Sequence, residues 1–374
     1  MKLCAFMTYG GSLKNWEQSG ILDRELAIYR QHAKVGWEID LISFGNSPDE
    51  AKIAERYPYF SVHYNNFGIH PRLYSWGLPF IHSKILADSD VYKTNQTYGA
   101  HVAHRCSMVW KKPVVVRQGY GHFENRSKEK GVNSRVAKQA FRYERSSLRR
   151  ASVSIFTTEE LAESSIARHN LNPAKVCIIP NYLIPEIWTP AHDFYGRGEK
   201  FKVIYFGRLS EEKNLTSLID AARNLPVEIH LIGEGSLRDK LEYQSREAGV
   251  FCQFSDQMSQ EELRNSLAQA NAFVLPSLYE GHPKALIEAL AYGIPVLAVN
   301  SPGIYQVVGD KDFSVNVDPT IVGIRGGLET LLSLSEKQLA EMGRKGRAWA
   351  MNQFSVNSIA ASEQSILKGI ANNL

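Results

Sequence analysis

Short runs rich in β-branched and aromatic residues alternate almost end to end with longer segments whose apolar residues recur at three- and four-residue spacing. That alternation fits one broad class, because strands joined through helices pair in parallel and need cover on both sheet faces. Strands are expected at 2–8, 38–43, 91–95, 114–117, 153–157 and 176–179, then at 202–206, 228–232, 251–254, 272–275 and 295–299. Helical patterns fill the gaps, for instance 21–35, 215–224, 237–248, 261–270 and 284–292. Between the two series, 180–200 carries Pro180, Pro185 and Pro190 and then Gly196-Arg197-Gly198 without apolar period, as a linker does. With 374 residues, 44% of them apolar, the chain can bury two cores. The expected architecture is α/β, with two Rossmann-like, doubly wound domains facing a central cleft. The first covers 1–185 and the second 186–354, with a C-terminal helix from about 355 to 374 packing back on the first.

Several function classes drop out early. The cysteines Cys4, Cys106, Cys177 and Cys252 stand far apart, with no zinc or disulfide spacing, which suits a reducing compartment. The first apolar run is shorter than a signal peptide, and no stretch approaches the ~20 apolar residues that cross a bilayer. A cytoplasmic protein is expected, with any membrane contact made from its surface. A formal net charge of +4 is too mild to imply nucleic acid.

Three strand-to-helix turns carry the chemistry. The first runs from Leu275 to Lys284 and into Ala285-Leu286-Ile287-Glu288. A helix beginning near Pro283 or Lys284 offers backbone N–H groups and a positive dipole end to an anion or to sugar hydroxyls. Glu280 and Glu288 add carboxylates whose paired oxygens suit vicinal hydroxyls. The alternative is a helix cap at Glu280 and a solvated face at Glu288. The second turn is Phe206-Gly207-Arg208-Leu209-Ser210-Glu211-Glu212-Lys213, where two cations at a strand's carboxyl edge suit a diphosphate. A surface turn with Arg208 and Lys213 paired to Glu211 and Glu212 is the rival. Ile232-Gly233-Glu234-Gly235 is the third.

Taken in order, these motifs resemble the retaining glycosyltransferases of family 4, which have the two-domain GT-B fold. The resemblance covers Gly207-Arg208 to Lys213, Gly233-Glu234-Gly235, the Glu280 to Glu288 pair and the following Ala291-Tyr292-Gly293-Ile294-Pro295, with Ile179-Pro180-Asn181 as hinge entry. It implies that Arg208 and Lys213 hold the donor diphosphate. Glu280, with Gly281, His282, Pro283 and Lys284, would contact the donor sugar, and Glu288 the ribose, while Gly207 and Gly233 let the donor approach. It further implies sugar transfer from a nucleotide diphosphate to a glycan, lipid-linked or small-molecule acceptor, in polysaccharide or glycoconjugate biosynthesis, with no metal or other cofactor. In the first half, Gly10-Gly11-Ser12 looks like the family's glycine-rich loop toward phosphate and acceptor, with Trp16, Glu17 and Gly20 beyond it. The family's donor-orienting histidine would be His122, which comes later after its strand than the family pattern, so Arg117 is a rival ligand. Gln306 stands where the family often has Glu.

Other signals compete. Asp88-Ser89-Asp90 imitates an Asp-x-Asp metal motif but precedes its strand, as a polar turn would. His101 and His104, near Cys106, fall on a helical pattern. The run from Arg126 to Arg150 holds nine cations, Arg126, Lys128, Lys130, Arg135, Lys138, Arg142, Arg145, Arg149 and Arg150, against Glu129 and Glu144. It is expected to be one basic amphipathic helix with Val132, Val136, Ala140 and Phe141 toward the sheet. Its outer face would meet an anionic membrane surface or stay solvated. A dinucleotide oxidoreductase lacks its GxGxxG, whereas a sugar-nucleotide epimerase or a non-catalytic nucleotide-sugar-binding relative on the same fold remains an alternative.

Overall fold

The computed structural model describes all residues except 47, 189–199, 281 and 373–374, together with the side chains of 128 and 129. The described chain divides into two compact units, Met1–Asn181 with Val356–Leu374, and Tyr182–Ser355.

The first unit is built on β1 (Lys2–Phe6), β2 (Glu38–Ile42), β3 (Ser61–His63), β4 (Val91–Thr94), β5 (Val114–Gln118), β6 (Val153–Phe156) and β7 (Val176–Ile178). They form one parallel sheet in the order β3-β2-β1-β4-β5-β6-β7. Its connections are α1 (Leu13–Gln18), α2 (Leu22–Lys34), α3 (Asp49–Ala54), α4 (Pro71–Ile81), α5 (Ser83–Asp88), α6 (Ala100–Trp110), α7 (His122–Lys130), α8 (Arg135–Arg150) and α9 (Glu159–His169). The central strands are buried almost throughout because both sheet faces are covered, and β4 even encloses the charged Lys93. β3 was not expected. It is a three-residue edge strand, exposed or half-buried, too short to show a period.

The basic run forms two helices, not one. Gly131, at φ +84°, ends α7, and the Ser134 side chain accepts the Ala137 N–H (3.1 Å) to start α8. Val132 and Val136 are exposed as a result, contrary to expectation, while Ala137, Ala140, Glu144, Ser147 and Leu148 form the inner face.

The second unit holds β8 (Phe201–Phe206), β9 (Val227–Ile232), β10 (Cys252–Ser255), β11 (Ala272–Leu275), β12 (Val296–Val299) and β13 (Ser314–Val317), all parallel in the order β10-β9-β8-β11-β12-β13. α10 (Leu215–Ala221), α11 (Arg238–Ala248), α12 (Gln260–Ala268), α13 (Lys284–Tyr292), α14 (Tyr305–Val308), α15 (Ile321–Ser333) and α16 (Glu336–Phe354) complete it. β13, Ser-Val-Asn-Val at an edge, was also missed because it is half-buried and partly polar. Of the proline-rich stretch, Pro190 and Gly196-Arg197-Gly198 lie outside the described residues. Its start already belongs to the second unit, where Leu183 bridges to Ser355 and Trp188 enters the core.

The last helix, α17 (Val356–Ala371), belongs to the first unit and packs on α2. Its Glu363, fully buried, accepts from Lys93 Nζ of β4 (2.5 Å) and faces His32 Nε2 (2.8 Å). Burial alone would raise the Glu363 pKa, but Lys93 and His32 outweigh it and hold it down to about 2. Such a pair fixes where the helix docks, because separating it would leave a buried charge unpaired.

Candidate active site

In the second unit the sheet order reverses between β8 and β11, the kind of switch point where ligands meet a doubly wound sheet. The two loops leaving those strands run side by side. Leu278 donates its N–H to the Glu212 carbonyl (2.9 Å), and Lys213 Nζ donates to Glu280 Oε1 (2.6 Å) across 67 residues of sequence. Only 12% and 14% of these two side chains are exposed, so the pair is held largely out of water. Lys213 therefore does not pair with Glu211 or Glu212 as the surface-turn reading had it. Arg208 does, reaching Glu212 at 3.4 Å with 78% of its side chain exposed.

Glu280 is fixed from behind. Its N–H donates to the Pro302 carbonyl (3.0 Å), and Gly303 packs so close at φ +79° that a Cβ would collide with the Glu280 carbonyl. The two glycine turns interlock in the same way. Gly207 donates to the Ile232 carbonyl (3.0 Å), Leu209 to that of Glu234 (2.8 Å), and a Cβ on Gly233, at φ +137°, would strike the Gly207 carbonyl. The Tyr205 hydroxyl, its pKa pushed up by burial, donates to the Arg208 carbonyl (2.9 Å) and shapes the turn from beneath. Beside these turns opens a cavity of about 630 Å³ lined by Gly207, Arg208, Gly233, Gly235, Gln257 and Leu263. Pro283 leads into α13, which carries no side-chain cap, Lys284 is exposed at its first position, and the His282 ring meets Phe354 edge-on at 5.7 Å. Glu288 is half-buried one turn into α13, and Gly281 lies outside the described residues.

In the first unit the corresponding reversal falls between β1 and β4. The Tyr9 N–H donates to the Tyr98 carbonyl (3.0 Å), joining the two loops there, and Gly10 turns the chain at φ +79°. Gly11 donates to the Thr8 carbonyl (2.7 Å). At the helix that follows, the N–H groups of Leu13 and Lys14 both go to the buried carboxylate of Glu50 (3.1 Å each), which also accepts from the Ser43 hydroxyl (2.5 Å). Trp16 is buried and Glu17 pairs with Arg56.

His122 opens α7, its N–H donating to Glu144 Oε1 (2.5 Å) and its ring lying 5.6 Å from that of Tyr98. Glu144 is fully buried and also takes Gln118 Nε2 (3.1 Å) and faces His169 Nε2 (3.2 Å). Arg117 turns instead to Asn181 Oδ1 (2.8 Å). His101 and His104 tie α6 to α8 through the Tyr143 hydroxyl (2.9 Å) and the Ser147 carbonyl (2.8 Å), and burial lowers His101 to about 4.

Residues 192–349 match the family described as glycosyl transferases group 1, and residues 26–186 match glycosyltransferase family 4. The chain belongs to the family 4, group 1 glycosyltransferases. It is 27% identical over 260 residues to the MMP alpha-(1->4)-mannosyltransferase of Mycolicibacterium hassiacum, a match covering 67% of this chain and 58% of that protein. The chain spans between about two fifths and three fifths of the length of such curated relatives. Among solved structures it is similar to sucrose-phosphate synthase from Thermosynechococcus elongatus (TM-score 0.78, 18% identity, 100% of both chains covered). It is also similar to Anabaena Alr3699/HepE in complex with UDP (TM-score 0.75, 18% identity, 99% of this chain and 100% of that). These likenesses give the two parallel sheets their GT-B assignment.

In this chain, sequence reading missed the supports of the motifs it named. Tyr205 and Gly303 stand behind Arg208 and Glu280, and Glu50 and Glu144 hold the loops that carry Gly11 and His122. Only Glu144 left a trace, since it repeats at helical spacing with Ala137, Ala140 and Leu148 on the inner face of α8.

Proposed function

We propose that the chain transfers a sugar, with retention at the anomeric carbon, from a nucleotide diphosphate bound by the second unit to a hydroxyl of a glycan, lipid-linked or small-molecule acceptor. The observation that carries this reading is the Lys213–Glu280 pair at the β8/β11 switch point, beside interlocking glycine turns and a cavity of about 630 Å³. The relative named as a mannosyltransferase and the neighbour solved with UDP support it.

In this reaction the bond from the anomeric carbon to the diphosphate oxygen breaks, and its electron pair leaves with the diphosphate. The acceptor oxygen bonds the same face of that carbon, and its proton passes to the departing phosphate. Lys213 and Arg208 stabilise the charge that grows on the leaving group, and fixed cations do so more in the transition state than in the ground state. Glu280 orients the sugar hydroxyls while its ion pair holds Lys213 in place. Glu288 takes the ribose hydroxyls, and Gly207 and Gly233 let the diphosphate approach the backbone. No metal ion is needed for these steps.

The test is a thermal-unfolding screen with GDP-mannose, UDP-glucose and the free diphosphates, followed by chromatographic assay of donor consumption. A true donor at 100 times its Kd stabilises by about 2.7 kcal/mol. The expected result is a shift with one nucleotide class that Lys213→Ala abolishes. Absence of any shift and of any turnover would overturn the assignment.

A further inference from the structure

β9 breaks the pattern of its own sheet. It lies between β8 and β10, and an interior strand of a parallel sheet is covered on both faces and reads as an apolar run. β9 instead alternates, with Val227, Ile229 and Leu231 buried on one face and Glu228 and His230 half-buried on the other. The neighbouring strands continue that polar face, since Lys202 of β8 stands in register with Glu228, and Gln253 of β10 with His230. The crossover plan explains it. The steps from β8 to β9 to β10 run one way along the sheet and put α10 and α11 on one face. Of the helices joining these strands, only α12, on the return from β10 to β11, crosses the other face, and it has nine residues.

Between the end of α12 and the amino ends of these strands opens a cavity of about 130 Å³. It lies at the opposite end of β8 and β9 from Gly207 and Gly233. Lys202, Glu228, His230 and Gln253 line it from the sheet, and Ser266 and Gln269 from the helix side. Phe251 also lines it and is 59% exposed, with Lys200 Nζ 5.9 Å from its ring centroid and 3.4 Å from Glu228 Oε1. His230 Nε2 lies 2.9 Å from Ser255 Oγ, and burial together with Lys202 lowers the pKa of the ring, which keeps it neutral.

We propose that this cavity binds one neutral sugar ring, free or as a unit of a glycan chain, at a site separate from the cavity beside the glycine turns. Its lining mixes an ammonium, a carboxylate, an imidazole and two amides, and a ring of hydroxyls, each both donor and acceptor, can satisfy all of them. The exposed Phe251 ring suits the apolar C–H face of a pyranose. Charge selects against other ligands. A phosphate or carboxylate would meet Glu228, which keeps only 22% of its side chain exposed, and a cation would meet Lys202. Polar side chains set against the covering rule of an interior strand are expected at a binding site and have no packing use. Met258 lines both cavities, with its Sδ 3.4 Å from Ser266 Oγ, so its methyl group reports on each.

The experiment is saturation-transfer NMR on the full chain with methyl α-mannoside, methyl α-glucoside and α-linked mannotriose. Wild type should give a saturable signal with at least one methyl glycoside, at a Kd on the order of 1 mM, which a ligand of about a dozen non-hydrogen atoms reaches. The signal should survive saturating UDP and saturating GDP. Phe251→Ala should weaken binding about 5-fold and Glu228→Ala about 10-fold, with thermal unfolding as the control for folding. Should a variant misfold, wild type gives an independent reading, since the isotope-labelled Met258 methyl should shift on titration with the same glycoside and the same Kd. Mannotriose binding about 10-fold more tightly than methyl α-mannoside would identify a glycan chain as the occupant, and equal affinity a single ring. No signal with any of the three sugars, a signal abolished by UDP or GDP, or binding unchanged in both variants would overturn the proposal.

Discussion

The two units share a sheet plan but treat carboxylates in opposite ways. In the first, Glu50, Glu144 and Glu363 are fully buried, and each is spent inside the fold: on the start of α1, on the start of α7, and on Lys93. Among the described residues of the second, none is fully buried, and Glu280 at the switch point keeps 14% of its side chain exposed beside Lys213. A carboxylate that takes a helix's first N–H groups satisfies those donors and occupies the place an incoming anion would use. The Gly10-Gly11 turn is followed by a helix whose Leu13 and Lys14 donors are already taken, whereas the Gly207 and Gly233 turns adjoin a cation and an open cavity. The same topology thus yields one switch point whose helix donors are taken up by a buried carboxylate and one that sets a cation and two glycine turns beside a cavity.

Breaking the second kind of site should remove activity, with a stability cost confined to the Lys213–Glu280 pair, whose carboxylate loses its partner. Lys213→Ala is expected to lower kcat about 1000-fold, because a preorganised cation is lost from the leaving group and Glu280 loses the partner that orients it. Arg208→Ala should cost about 100-fold, less than Lys213, since its side chain is 78% exposed and more of its charge is already screened by water. Steady-state kinetics, with thermal unfolding as the control for folding, check both. Turnover near wild type in the Lys213 variant would erase the contrast between the two switch points.

Breaking the first kind should do the reverse. Glu50→Ala strands the Leu13 and Lys14 N–H groups and the Ser43 hydroxyl in a buried site. The expected loss is about 2–3 kcal/mol, seen as an unfolding midpoint lower by roughly 4–12 °C. Glu50→Gln keeps an acceptor and should lose less. If Glu50→Ala instead unfolds like wild type and loses activity, the first loop is functional in the way the second is, and the comparison narrows.

The sequence showed these two switch points unequally, for physical reasons. Central strands such as Ala272–Leu275 and Val296–Val299 are buried on both faces and read as unbroken apolar runs, while the edge strands at 61–63 and 314–317 are short and half-wet and gave no period. The glycine turns and the cations after β8 could be named from residue type. Which partner Lys213 takes could not, because that depends on β8 and β11 being neighbours in space. Glu50 was invisible for the same reason, as an ordinary acid on a short helix whose meaning comes from the loop it meets. Gly131 explains the one helix read as continuous, since a single glycine at positive φ outweighs an otherwise uniform basic pattern.

The smallest expected effect is that of a chelator. Turnover measured in EDTA should equal turnover without it, because in the proposed reaction Lys213, Arg208 and the start of α13 face the diphosphate charge, and a divalent ion would duplicate them. The one sequence motif that argues otherwise is Asp88-Ser89-Asp90. Its oxygens are engaged at the wrong end of the sheet: Asp88 accepts from Lys2 Nζ (2.5 Å), and Asp90 Oδ2 accepts the Lys2 N–H (2.7 Å) where β1 begins. Ligands of a doubly wound sheet gather beyond the carboxyl ends of its strands, and these two residues precede β4. Lys2 also holds Asp88 below the usual carboxylate range, which fits a structural ion pair. Complete loss of activity in EDTA, restored by Mn²⁺ and absent from an Asp88→Asn, Asp90→Asn variant, would reverse this assignment and move the charge-bearing site from the second unit to the first.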